Sequence, residues 1–239
     1  MARSTSREAT ETSLISGIYA LGDEMSRRNF SKSGSGPVHT GPSHRERHAV
    51  RPNVAYRQRG DRTRSSEFGA AEVWHPPLGR TTPEVLTQAP GEGYLHAVSA
   101  QEIRERLSQL PHDITSQIEV IQLSQMTRKR GLFPLYGMQW GANIYLYPIE
   151  AGLVELYTRP PHPQQQIEAK MFGGEWHEEE GYWQLSWTLE SLKDFYLNNV
   201  LIHEVGHVID QRNTSFRDRE RFANWFAIEY GYRASRHRR

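Results

Sequence analysis

The chain is 239 residues long, with a formal net charge of +1, 36% hydrophobic residues and no cysteine, and its mean hydropathy is −0.73. The length fits one domain or two small ones, and the low apolar share predicts that part of the chain adds nothing to a core. Without cysteine there are no disulfides and no thiolate metal sites, so any metal must be held by His and carboxylate. No run approaches the ~18 consecutive apolar residues of a membrane helix. The first 25 residues lack the charged start, apolar middle and small-residue cleavage site of a secretory signal. The expectation is a protein of the cytoplasm with no membrane span.

Up to about residue 92, Gly, Pro, Ser and Arg dominate without helical or strand period. From Arg27 to Arg64 the only acids are Glu46 and Asp61. Such a segment cannot offset an ordering cost of ~1–2 kcal/mol per residue, so residues 1–92 are expected to form a largely disordered basic arm. The arginines of 27–64 would suit nucleic acid or another anionic surface. Sparse aromatics and the return of acids at Glu67, Glu72 and Glu84 favour a solvated spacer instead. His39, His44, His48 and His75 have no ligand-like spacing and count as arm composition.

Residues 93–239 read as the folded domain. Ser99-Ala-Gln-Glu102 is a capping box, followed by Ile103, Leu107 and Leu110 at helical spacing and closed by Pro111. Strand-like runs follow at 118–123, 136–147, 153–158, 169–172 and 182–188. Ser191-Leu-Lys-Asp194 marks the start of a long helix through Ile209, and Ser215-Phe-Arg-Asp218 that of a last helix ending near Gly231. The basic 236–239 stretch reads as a frayed end. The order predicts an α+β domain: a mostly antiparallel sheet of four to five strands packed on two late helices.

The first of those helices carries His203-Glu-Val-Gly-His207 between apolar flanks. Histidines at i and i+4 share a helix face with Cβ atoms ~5–6 Å apart, which lets both imidazoles reach one zinc ion at ~2.0–2.1 Å. Glu204 lies about 100° round the helix, placed to act on a water rather than to ligate. On the last helix, Glu220, Asn224 and Ala227 share a face with small neighbours, and only Gln211–Thr214 separates the helices. Glu220 is therefore the candidate third ligand, against the alternative of a solvated residue among Arg217, Arg219 and Arg221. Asn224 is placed to orient a ligand imidazole. Asp210 would either support His207 or pair with Arg217 or Arg221. Tyr230, Tyr232 and Tyr196 are candidate oxyanion donors, against simple packing.

His203-Glu-Val-Gly-His207 with Glu220-x-x-x-Asn224 downstream resembles the gluzincin metallopeptidases. The phrasing around it is similar to the lethal-factor type of catalytic domain and to small regulatory peptidases that cleave repressors. The resemblance covers about residues 200–231. It implies a minimal zincin-like fold, zinc on His203, His207 and Glu220, Glu204 as general base, Asn224 beside a ligand, and a protein or peptide substrate. The short gap from His207 to Glu220 leaves no room for an inserted subdomain. Two other readings stand beside it: a catalytically silent metal-binding interaction module, and a nucleic-acid-binding protein that uses the arginine-rich arm.

Overall fold

The computed structural model describes residues 74–132 and 135–237. The expected disordered arm lies outside the described residues as far as residue 73, as do the last two residues of the basic C-terminus. In chain order the elements are β1 (Glu84–Thr87), β2 (Tyr94–Leu95), α1 (Ala100–Leu107), α2 (His112–Thr115), β3 (Val120–Leu123), α3 (Arg128–Leu132), β4 (Gly137–Trp140), β5 (Asn143–Leu146), β6 (Ile149–Glu150), β7 (Val154–Tyr157), α4 (Pro163–Met171), β8 (Glu175–Glu179) and β9 (Tyr182–Ser186). Then follow α5 (Leu189–Phe195), a π-helical turn (Tyr196–Val200), α6 (Leu201–Ile209), α7 (Phe216–Phe226), a second π-helical turn (Ala227–Arg233) and α8 (Ala234–Arg236).

The main sheet has the order β1-β3-β5-β4, with β1–β3 and β3–β5 parallel and β4–β5 antiparallel. The two central strands, Val120–Leu123 and Asn143–Leu146, are buried at every position, as expected for strands covered on both faces. The architecture is thus mixed α/β, and the expected mostly antiparallel sheet is corrected. Antiparallel pairing is instead concentrated in a separate three-stranded sheet, β7-β9-β8, and in the short β2–β6 pair.

Residues before 93 also take part in the fold. Glu84–Thr87, assigned above to the arm, pairs in register with Val120–Leu123, and Val85 joins the core. Ahead of it, the His75 N–H donates to the Tyr145 hydroxyl at 2.9 Å, its ring meets Gln122 at 2.7 Å, and its carbonyl accepts from Asn143. His75 is an anchor of the sheet rather than arm composition. The acids and prolines around these residues mask a strand only four residues long.

The Ser99 capping box is present, with Ser99 and Glu102 exchanging bonds. The long helix expected from Ser191 has its N-cap three residues earlier. Thr188 is the cap, and its hydroxyl accepts from the Ser191 N–H at 3.0 Å. The run 169–172, expected as a strand, is the end of α4, where Pro163 pre-sets the first turn and buried Ala169 and Phe172 recur at helical spacing. The strand of this region is β8, whose Glu175–Glu179 side chains are almost all exposed; it lacks the apolar alternation that marks a half-buried strand.

Helical structure runs unbroken from 189 to 209 and from 216 to 236, each stretch crossing a π-helical turn. The two turns press together: a Cβ at Gly231 would run into the Asn198 carbonyl oxygen. Buried Arg106 of α1 bonds both turns, through Asn198 Oδ1 at 2.7 Å and the Tyr230 carbonyl. This clamp ties the turn before α6 to the turn after α7.

Candidate metal centre

The segment Leu201–Gly206 is buried throughout. Its apolar side chains fill the core, which obliges His203 and Glu204 to be buried as well, at 0% and 3% exposure. Burying such groups costs several kcal/mol unless they find partners. The partner element is α7, opened by the Ser215 hydroxyl accepting from the Asp218 N–H. The helices approach closely because Gly206 faces Ala223: a Cβ at 206 would lie 2.9 Å from the Ala223 Cα.

That approach brings Glu220 to the two histidines. His207 Nε2 lies 3.0 Å from His203 Nε2 and 3.1 Å from Glu220 Oε1, and His203 Nε2 lies 3.6 Å from Glu220 Oε2. The alternative of a solvated Glu220 is excluded by its 5% exposure. His203, His207 and Glu220 form a three-residue group able to hold a metal ion. Ligand atoms ~2.0–2.1 Å from one ion at tetrahedral angles lie about 3.3–3.4 Å apart, close to these separations. Glu220 Oε2 is buried without a hydrogen-bond partner, and buried polar atoms ordinarily have one. The residues therefore fit a divalent ion of the zinc type.

Protonation follows from the packing. Complete burial holds His203 well below the usual imidazole range, the nearby His207 adds to this, and a hydrogen bond with Asn224 opposes it. Neutral imidazole is the form that ligates. Burial pulls His207 down too, but the bond to Glu220 and the charges of Glu204 and Glu220 outweigh it, with Arg219 opposing, so His207 is raised. Asn224, 1% exposed, lies close enough to His203 to act on its imidazole.

Asp210 does neither of the things expected of it. Its carboxylate accepts from the Arg212 and Asn213 N–H groups and the Asn213 amide, closing the turn between the helices. Arg221 pairs with Asp218 instead. The Tyr196 hydroxyl donates to the Tyr147 carbonyl at 2.8 Å. Tyr232 packs on Phe172 and Arg236. Tyr230 stacks on Phe226 at 4.4 Å. The ring contacts of Tyr230 lie on α7, with Trp225 and Phe226.

Three neighbours of the site were not foreseen. Gly137 on edge strand β4 lies directly over Glu204, where a Cβ would come within 2.9 Å of Glu204 Oε1. Gln139, two residues on, accepts from Arg219 of α7 at 3.2 Å, and Arg219 also reaches the His207 carbonyl at 3.4 Å. A glycine inside a strand pattern often marks close backbone approach, which was the one available signal. Compared with known protein families, characterised proteins and solved structures, the chain matches none of them.

Proposed function

We propose that this chain is a zinc-dependent endopeptidase of minimal gluzincin type, with His203, His207 and Glu220 holding the ion and Glu204 as general base. The observation that carries the reading is the buried trio spaced at 3.0–3.6 Å, with the Glu204 carboxylate beside it against Gly137. Zinc held there would polarise the scissile carbonyl and lower the pKa of a coordinated water to about 7. Glu204 takes the proton from the attacking water, whose oxygen bonds to the carbonyl carbon. Glu204 then returns that proton to the amide nitrogen as the C–N bond breaks. Asn224, beside His203, would orient that ring for the ion.

The substrate would lie along β4, which ends the main sheet among the described residues. The Tyr147 N–H donates to the Tyr136 carbonyl at 2.9 Å. In the alternation of an antiparallel pair, Gly137 and Gln139 then turn their backbone groups to the free edge. An extended peptide can pair there by strand addition.

The first test is metal content by elemental mass spectrometry on wild type and Glu220→Ala. About one zinc per chain in wild type, sharply reduced in the variant, is expected; a peptide-library screen of wild type against Glu204→Gln then reads cleavage. No zinc in wild type even after zinc addition would overturn the reading. Zinc without cleavage would favour the metal-binding interaction module.

A further inference from the structure

Arg219 stands one residue before Glu220 in the first turn of α7 and is partly buried. Its guanidinium has two acceptors, Gln139 Oε1 and the His207 carbonyl, and both are neutral and long, at 3.2 and 3.4 Å. Other arginines of the last helices find acids: Arg221 pairs with Asp218, Arg233 with Glu229, and Arg236 with Asp194. Among the described residues no carboxylate pairs with Arg219. A guanidinium offers five donors in a planar fork matched to a carboxylate, so Arg219 has donors to spare for a charged acceptor.

The strand geometry says where that acceptor would come from. Gly137 and Gln139 are two apart, so they share one face of β4, the face turned to the helices. Gly137 lies over Glu204, and the Gln139 side chain reaches Arg219. A peptide paired along the β4 edge sets the side chain opposite Gln139 on this same face. That side chain would reach Arg219 two residues away from the one opposite Gly137, where Glu204 waits.

We propose that Arg219 selects a substrate carboxylate carried two residues from the peptide residue that faces Gly137, making the enzyme one for acidic peptides. This rests on the peptidase reading above. An Asp or Glu side chain and a free C-terminal carboxylate share the required chemistry. In the bland alternative, Arg219 merely latches α7 to β4 and to the end of α6, and substrate charge does not matter.

The test uses the zinc-loaded full-length chain and matched peptides with Asp or Glu against Asn or Gln two residues to either side of the cleaved bond. Each peptide is made with a free and an amidated C-terminus. Acidic peptides are expected to have a kcat/KM ~10- to 100-fold higher, as a charge-assisted bidentate contact allows. Arg219→Gln should abolish that preference, Arg219→Lys should retain part of it, and Arg219→Glu should shift it to Lys-containing peptides, with zinc content unchanged in all three. Faster cleavage of free than of amidated peptides, whatever the side chain, would assign the selected group to the terminal carboxylate; a preference for Asp or Glu in amidated peptides as well would assign it to the side chain. The zinc-loaded Glu204→Gln chain should bind fluorescent acidic peptides tighter than neutral ones. Equal cleavage of Asp/Glu and Asn/Gln peptides by wild type together with no effect of C-terminal amidation, or a preference that survives in Arg219→Gln, overturns the proposal and leaves the peptidase reading intact. Cleavage of none of the peptides would instead remove the peptidase reading, and this inference with it.

Discussion

Glu155 and Glu220 are both buried carboxylates, in different parts of the fold, and their surroundings differ in kind. Glu155 on β7, 0% exposed, accepts from the Tyr136 hydroxyl at 2.7 Å, the Trp187 indole at 3.2 Å and the Tyr157 hydroxyl at 3.3 Å. Its two oxygens accept from three donors, one on β7 itself and two from the segments beside β4 and β9, so the carboxyl is fully partnered. Glu220 faces two imidazoles and leaves its Oε2 without a donor. A satisfied buried acid is architecture; an unfinished one, gathered with two histidines, points to something that binds. Glu168 of α4 is a third solution. It has one donor, Asn199, and burial raises it to about 8, so it keeps a proton at neutral pH.

The sharpest way to test this contrast is Glu204→Gln. We expect a loss of ~10²- to 10⁴-fold in kcat, the usual scale of general-base removal, with zinc retained. Glu168 comes next. Its folded pKa lies above the ordinary carboxylate value of 4.5, so its contribution is complete below that value and is lost as pH rises towards about 8. Wild type should therefore lose up to ~1.4 kcal/mol per pH unit between pH 5 and 8. Urea unfolding across that range should show the slope in wild type and a flatter profile in Glu168→Gln. An equal slope in both would break the assignment.

Gly137→Ala probes the roof of the site. Its Cβ would meet both Glu204 and Val200 at 2.9 Å, and overpacking of this kind costs ~1–3 kcal/mol. Activity should fall ~10- to 100-fold as the carboxylate is displaced, measured with zinc saturating. The smallest effect is expected from Tyr136→Phe, which removes one of Glu155's donors for ~1–2 kcal/mol. Thermal unfolding should register it, while zinc content stays at the wild-type level. A zinc loss there would mean that the two clusters are not separate.

Much of the centre was legible because it rests on local periodicity. His203 and His207 meet on one helix turn whatever surrounds them, and the Ser215 cap and the short 211–214 link placed Glu220 and Asn224 on the facing helix. Asp210 misled for an equally local reason: a carboxylate at a helix end has backbone N–H groups within reach, and these won over His207. Elements without periodicity were lost or misassigned. Four-residue β1 reads as arm, exposed β8 gives no strand signal, and the buried end of α4 reads as strand, because windows this short do not separate periods of 2.0 and 3.6.

What the sequence determined by itself was a pair of histidines and a glutamate on one buried helix, with a glutamate and an asparagine on the next, since helical spacing depends only on the backbone. What the tertiary structure alone decided was the parallel core sheet and the placing of Gly137, Gln139 and Arg219 around Glu204. Those residues lie up to 82 positions apart in the chain, and no local pattern encodes a contact that exists only once β4 is laid across the two helices.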